Sequence, residues 1–221
     1  MVISKEQEAT VKTIITYSSL KEALADLDNG GRFYNILTEA DDGVVEQAEL
    51  AKVAGVFSDT QTMFLYLDMA LSELSPEESM AVRSSLSEDL QQEYQTHKPS
   101  RYTPVQAKLE GQAGEPVIIG GVPRLVKSME NFGGMILVPI TAGTVTTFTM
   151  IPIVDQYDVY QVRDSQSERE FVVAHAHSDE KLPETYTLFG GILKEMHNEQ
   201  GNSDSLFLEA VYFANHQTLS A

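Results

Sequence analysis

Residues 131–154 read NFGGMILVPITAGTVTTFTMIPIV, 24 residues with no charged side chain. No other feature restricts the fold of this chain as much. As one helix, such a run is long enough to span the ~30 Å core of a bilayer. Its three glycines, two prolines and five threonines are spread along its length. Threonine and the β-branched Ile and Val favour strands, and "TAGT" supplies a turn. The segment therefore predicts a buried β-hairpin rather than a membrane helix.

Around that run the chain is strongly acidic. It has 221 residues, 33 acidic against 15 basic, and a formal net charge of −18. Residues 1–103 hold 8 basic and 18 acidic side chains, and residues 104–221 hold 7 and 15. Neither half offers the positive field that phosphate backbones need, which disfavours nucleic acid as a partner. Cysteine is absent, which excludes disulfides, thiol chemistry and Cys-based metal sites. The start, MVISKEQEATVK, shows no basic region followed by an apolar core, so a cytoplasmic protein with no membrane attachment is expected.

Two grammars divide the sequence. Residues 1–98 read as a helical bundle. Ser4 with Gln7 and Ser19 with Glu22 have capping-box spacing, and Asp42 is placed to cap the helix that includes "VVEQAELAKVAGVF". Met63, Phe64, Leu67, Ala70, Leu71 and Leu74 form a stripe at helical spacing, the mark of a core-facing helix. "SPEE" at 75–78 gives a cap, a proline at the first helical position and a closing Glu. One helix is expected from there to just before Pro99. Residues 99–104 form a proline-containing linker, and 105–221 read as a β-barrel domain. Its seven short strands are "EPVIIGGV", "MILVPI", "TVTTFTMIPIV", "YDVYQVRD", "REFVVAHAH", "TYTLFGGIL" and "SLFLEAVYF".

The run VYQVRD…REFVVAHA…LPETYTLFGGILKEM…SLFLEAVYFAN resembles the later strands of an OB-fold barrel, the oligonucleotide- and oligosaccharide-binding fold. One strand with a polar-x-apolar-x-Gly step precedes a last strand of alternating Leu, Glu and aromatic residues. "EPVIIGGV" would be the first strand, its glycines allowing a sharp bend. The likeness covers roughly the last hundred residues. It departs from the family where the helix between the third and fourth strands is missing or reduced to "SDEKLP". The fold class expected is α+β: an N-terminal helical bundle followed by an antiparallel, OB-like β-barrel.

Sites are harder to place. "IGGV", "FGGMIL" and "FGGILK" lack the spacing of phosphate loops and sit in strand-type runs, so their glycines read as bends or bulges. His175 and His177 lie two apart on a strand, about 7 Å between them, and are a candidate metal pair with Asp179 or Glu180 nearby. A third ligand, His197 or His216, would have to come from elsewhere. "DLDNGG" and "EADDGVVEQAE" miss the EF-hand pattern. Neither G-x-S-x-G nor H-E-x-x-H occurs, and no catalytic residue or cofactor is nominated. Arg124, Tyr157, Tyr160, Arg163 and Arg169 are the candidate ligand-binding residues, a mixed aromatic and basic set on neighbouring strands. The function expected is a non-enzymatic interaction or ligand-binding protein, with a protein partner or self-association. A single-strand nucleic-acid binder and an enzyme with a site between the halves are the alternatives.

Overall fold

The computed structural model describes residues 11–30, 39–56, 59–128, 134–142, 145–153, 157–164, 170–176, 181–182, 184–197 and 203–215. The chain divides into two compact units. One comprises residues 13–100 with 116–118, the other residues 1–12, 101–115 and 119–221.

The first unit is helical. Helix α1 (Leu20–Leu27) starts as its sequence suggests: Ser19 accepts from the Glu22 amide. The Glu22 carboxylate reaches one residue further back than a capping box requires, to the Ser18 amide at 2.8 Å. Ser4 and Gln7 lie outside the described residues. Helix α2 (Gln47–Ala54) begins later than Asp42 implied. The buried Glu49 explains the shift, because its carboxylate accepts from the Glu46 amide at 2.8 Å and also from the Gly30 amide. The helix starts where that carboxylate can take its first N–H. Asp42 instead accepts from the Val44 amide in a turn.

In α3 (Thr60–Ala70) Asp59 caps the first turn. All six residues of the apolar stripe are buried, and so are Leu65 and Met69 on the remaining face. A helix buried on more than one face is a central core helix, so core packing accounts for the stripe. The expected long helix after Ser75 is two: α4 (Pro76–Ser84) and α5 (Glu88–His97). Between them Leu86 pairs with Val45 in a parallel bridge. The Val45 amide donates to the Ser85 carbonyl at 2.7 Å and the Ser87 amide donates to the Val45 carbonyl at 3.0 Å. Those groups are spent on a neighbouring segment and cannot continue a helix. Asp68 on α3 ties the bundle. It accepts from Arg83 on α4 at 2.8 Å and from Tyr94 on α5 at 2.8 Å.

The second unit is built on β-structure. The described residues of the chain hold nine strands: β1 (Lys12–Thr13), β2 (Ser100–Tyr102), β3 (Pro116–Ser128), β4 (Gly134–Ala142), β5 (Val145–Ile153), β6 (Tyr157–Arg163), β7 (Glu170–Ala176), β8 (Thr187–His197) and β9 (Ser203–Asn215). All seven strands expected from the sequence are among them. The stretch read as a linker carries β2 and leads straight into a helix, α6 (Pro104–Glu110). Its start, T-P-V-Q, is a capping box: the Gln106 amide donates to Thr103 at 3.2 Å and the Thr103 amide donates to Gln106 at 3.0 Å.

Strands β3, β6, β7, β9 and β8 pair in that order, and β8 returns to β3. This closes a five-stranded, OB-like barrel. The β7–β9 pair is parallel, so the barrel is mixed and not wholly antiparallel as expected. Closure of so small a barrel needs tight coiling, and the glycines supply it. The β8–β9 register shifts between Gly190 and Gly191. A Cβ on Gly191 would lie 2.1 Å from the Glu209 carbonyl oxygen, and one on Gly121 would lie 2.5 Å from the Arg163 carbonyl oxygen. At both places another backbone passes where any side chain would be.

The uncharged run forms the remaining two strands. β4 and β5 pair in one unbroken antiparallel register, from Gly134↔Ile153 to Ala142↔Val145, with residues 143 and 144 between them. This hairpin is inserted between the first and second barrel strands. It joins the sheet through β5 beside β8, at Met150↔His197. No helix of the described residues is long and apolar enough to cross a membrane.

Candidate interaction surface

The candidate ligand-binding residues fall on β3, β6 and β7, and the register sorts them by face. Arg124 is opposite Gln161, and Arg163 is opposite Glu170. Gln161 and Arg163 are two apart on β6, so all four share one face. The Arg124 guanidinium donates to Gln161 at 2.9 Å and lies 3.9 Å from Glu170. Arg163 donates to Glu170 at 2.9 Å. Both cations stay open to solvent, at 62% and 55% side-chain exposure. Glu170 thus holds the two arginines together and offsets part of their charge. Nothing in the local sequence nominated it; only the β6–β7 pairing does.

Tyr157 lies on the same face at the far end of β6, six residues from Arg163. That is about 20 Å along a strand. Its hydroxyl donates to Glu209 at 2.5 Å, and Lys194 lies 3.4 Å from the same carboxylate. Between the two polar ends, Val159, Val172, Ala174, Met196 and Phe207 form a buried apolar cluster against which Tyr157 packs.

Tyr160 belongs to the opposite face and to the core. It is 1% exposed. Its ring stacks on His175 with centroids 5.4 Å apart and planes 17° apart. The Leu182 amide donates to its hydroxyl at 3.2 Å. Burial first, and Asp158 less strongly, push its pKa above the usual phenol value, so it stays protonated. Asp158 on the same face is fully buried and accepts from Lys181 at 3.0 and 2.9 Å. Lys181 and Leu182 thereby fasten the segment after β7 onto β6. The arrangement gives Tyr160 a packing role.

His175 is 1% exposed, and its Nδ1 lies 2.7 Å from the Ala176 carbonyl oxygen. Arg169 and His177 lie outside the described residues. Among the described residues no group of three or more His, Cys, Asp or Glu side chains is arranged to hold a metal ion. In the helical unit the two acidic loops do meet, for a structural reason. Asp28 accepts from the Gly43 amide at 2.7 Å, and Lys52 donates to the Gly30 carbonyl at 3.3 Å.

No family model matches this chain. No curated protein matches it. Among solved structures it is similar to the N-terminal domain of an archaeal MCM, at 12% identity and a TM-score of 0.37, covering 78% of this chain and 85% of that one. A likeness at that level is one of gross fold, and nothing about function is argued from it.

Proposed function

We propose that the chain is a non-enzymatic interaction protein of the cytoplasm that engages a protein partner through its β unit. The observation that supports this is the inserted hairpin. A barrel closes without it, yet the chain keeps 24 consecutive uncharged residues there while carrying a net charge of −18 overall. Long apolar strands at the end of a sheet are an aggregation hazard that proteins ordinarily blunt with charge. Here no charge blunts them, which fits a surface meant to be covered. The test is a photo-crosslinking residue placed at Thr147 in the hairpin, with the exposed Met80 as control site. A discrete crosslinked protein from Thr147 and none from Met80 is expected. No crosslink from the hairpin would sink the proposal.

A second function rests on a different observation, the two solvent-exposed arginines held side by side by Glu170. It is single-strand nucleic-acid binding by Arg124, Arg163 and Tyr157. Fluorescence polarisation of a labelled oligothymidine at low salt tests it, because electrostatic affinity is greatest there. Absence of binding under those conditions dismisses it.

A further inference from the structure

We infer that Arg124 and Arg163 form a binding site for one phosphate group, and that Glu170 fills this site in the free protein and must swing out before the phosphate enters. Where the phosphate belongs to a polymer, the inference rests on the single-strand binding proposed above. The register builds the site. Val122, Arg163 and Glu170 make one row across β3, β6 and β7, and Arg124, Gln161 and Val172 make the next. The two rows share a face. Arg124 and Arg163 are therefore diagonal neighbours, about 7–8 Å apart, close enough for one small anion to bridge. Gln161 and Val172 are buried, and Gln161 accepts from Arg124 Nη2 at 2.9 Å. That bond positions one guanidinium before any ligand arrives.

The placement of Glu170 identifies the ligand. Arg163 Nη2 lies 2.9 Å from Glu170 Oε1, and Arg124 Nη2 lies 3.9 Å from the same atom. The first is a hydrogen bond and the second is too long for one. One carboxylate oxygen therefore satisfies one arginine and leaves the other short. Each guanidinium carries five N–H donors in a planar fork. A phosphodiester has two free oxygens and a phosphate monoester three, so either can take both arginines at once. Charge-assisted arginine–phosphate pairs are also the stronger kind. Glu170 is thus an occupant of the right charge with too few oxygens facing the pair.

Such an occupant can be displaced. The Glu170 side chain is 23% exposed and its partners 62% and 55%. Ion pairs this open are screened by solvent, and their loss costs about fivefold in an equilibrium or less. Glu170 still matters, because it changes what an arriving anion meets. With Glu170 in place the three side chains sum to one positive charge. With Glu170 swung out, the arginines present two. The whole chain carries −18 and repels polyanions over most approaches. On that background the second charge decides whether a phosphate stays, so Glu170 sets the threshold for binding.

Fluorescence polarisation of labelled oligothymidine on the full chain tests this, with wild type compared to Glu170→Gln. Glutamine keeps the shape and can still accept from Arg163 but has no charge. Binding is expected to tighten by about fivefold. The slope of log affinity against log salt should steepen by about 0.7, the mark of one more phosphate contact on a single strand. Adding Arg163→Gln to Glu170→Gln should remove both gains. Circular dichroism checks the fold, and Glu170→Thr, a strand former without the charge, repeats the measurement if Glu170→Gln does not fold. Inorganic phosphate separates the group from the polymer. At an ionic strength matched with chloride, it should raise the Tm of Glu170→Gln more than that of wild type. That rise without any oligothymidine binding supports the site and dismisses single-strand binding. Oligothymidine binding that is equal in wild type and Glu170→Gln overturns the inference and leaves single-strand binding standing. A gain that survives Arg163→Gln overturns it as well, and so does equal stabilisation by acetate, which would make the ligand a carboxylate. If neither probe binds either protein, the inference and single-strand binding fall together.

Discussion

Replacing Gly191 with alanine should open the barrel at its β8–β9 seam. The added Cβ would stand 2.1 Å from the Glu209 carbonyl oxygen and 2.8 Å from the Ala210 Cα, where ordinary contact begins at 3.4 Å. The shortfall exceeds an ångström, and both obstacles are backbone. No rotamer change relieves it. Either the Gly190/Gly191 register shift is lost or β9 moves away, and the adjoining pairs Gly190↔Tyr212 and Gly191↔Ala210 weaken. Overpacking a tight site costs about 1–3 kcal/mol, and two weakened ladder bonds add about 1–2 kcal/mol. A total near 3 kcal/mol lowers Tm by about 6–12 °C for a domain of this size. Thermal unfolding followed by tyrosine fluorescence reads this directly, since the chain has nine tyrosines and no tryptophan. Gly114 is the matched control: it has φ +86 but nothing within 4 Å of an added Cβ. Its alanine variant should lose only the left-handed strain, about 1 kcal/mol. A Gly191→Ala protein as stable as wild type would refute the reasoning.

Three more outcomes are expected. Arg83→Ala removes the counter-charge at the buried Asp68 and a cation stacked 5.5 Å over Tyr94; because Arg83 is partly exposed, a loss of about 2–3 kcal/mol is expected in urea unfolding, less than a wholly buried pair would give. Lys181→Met strips the ammonium from the buried Asp158. It should cost about 2 kcal/mol, with Lys181→Arg recovering part of the loss in the same assay. In acid, stability should fall as pH drops below the ordinary glutamate value of 4.5 and through the lower folded values of Glu22 and Glu78, held down by hydrogen bonds from Ser18 and Ser75. Glu78→Gln should flatten that part of the pH–Tm profile. Glu49 works in the opposite sense: burial raises its pKa, so its own contribution is lost as pH rises through the raised value.

Local chemistry was legible wherever a signal and its consequence lie within four residues. The Ser75-Pro76-Glu78 start, the Ser19 cap and the two strands at 134–142 and 145–153 all follow from nearest-neighbour rules. The T-P-V-Q start of α6 belongs to the same class; its two prolines at 99 and 104 invited a linker, although proline is at home in a first helical turn. What failed was anything set by a distant partner. Leu86 leaves the helix because Val45 claims the neighbouring carbonyl and amide. Helix α2 starts at Gln47 and not near Asp42 because a buried carboxylate three residues along takes the amide at Glu46. Neither competitor is visible within the segment it reshapes.

The candidate surface shows the same division, with a reason particular to barrels. Alternation along β6 puts Tyr157 and Gln161 on one face and Tyr160 on the other. The further step, that aromatic and basic residues on neighbouring strands share an open face, assumes that one face of a strand meets water. In a closed, coiled barrel that assumption fails. Val159 on one face of β6 and Tyr160 on the other are both buried. Exposure in β6 instead varies along the strand, with Arg163 open at its end and the middle covered on both sides. A strand period of two therefore predicts which residues share a face, while position relative to the barrel rim decides which of them a ligand can reach. By that criterion Arg124 and Arg163 remain eligible to touch a partner. Tyr160, stacked on His175, serves to hold β6 and β7 in the register that brings Arg163 to Glu170.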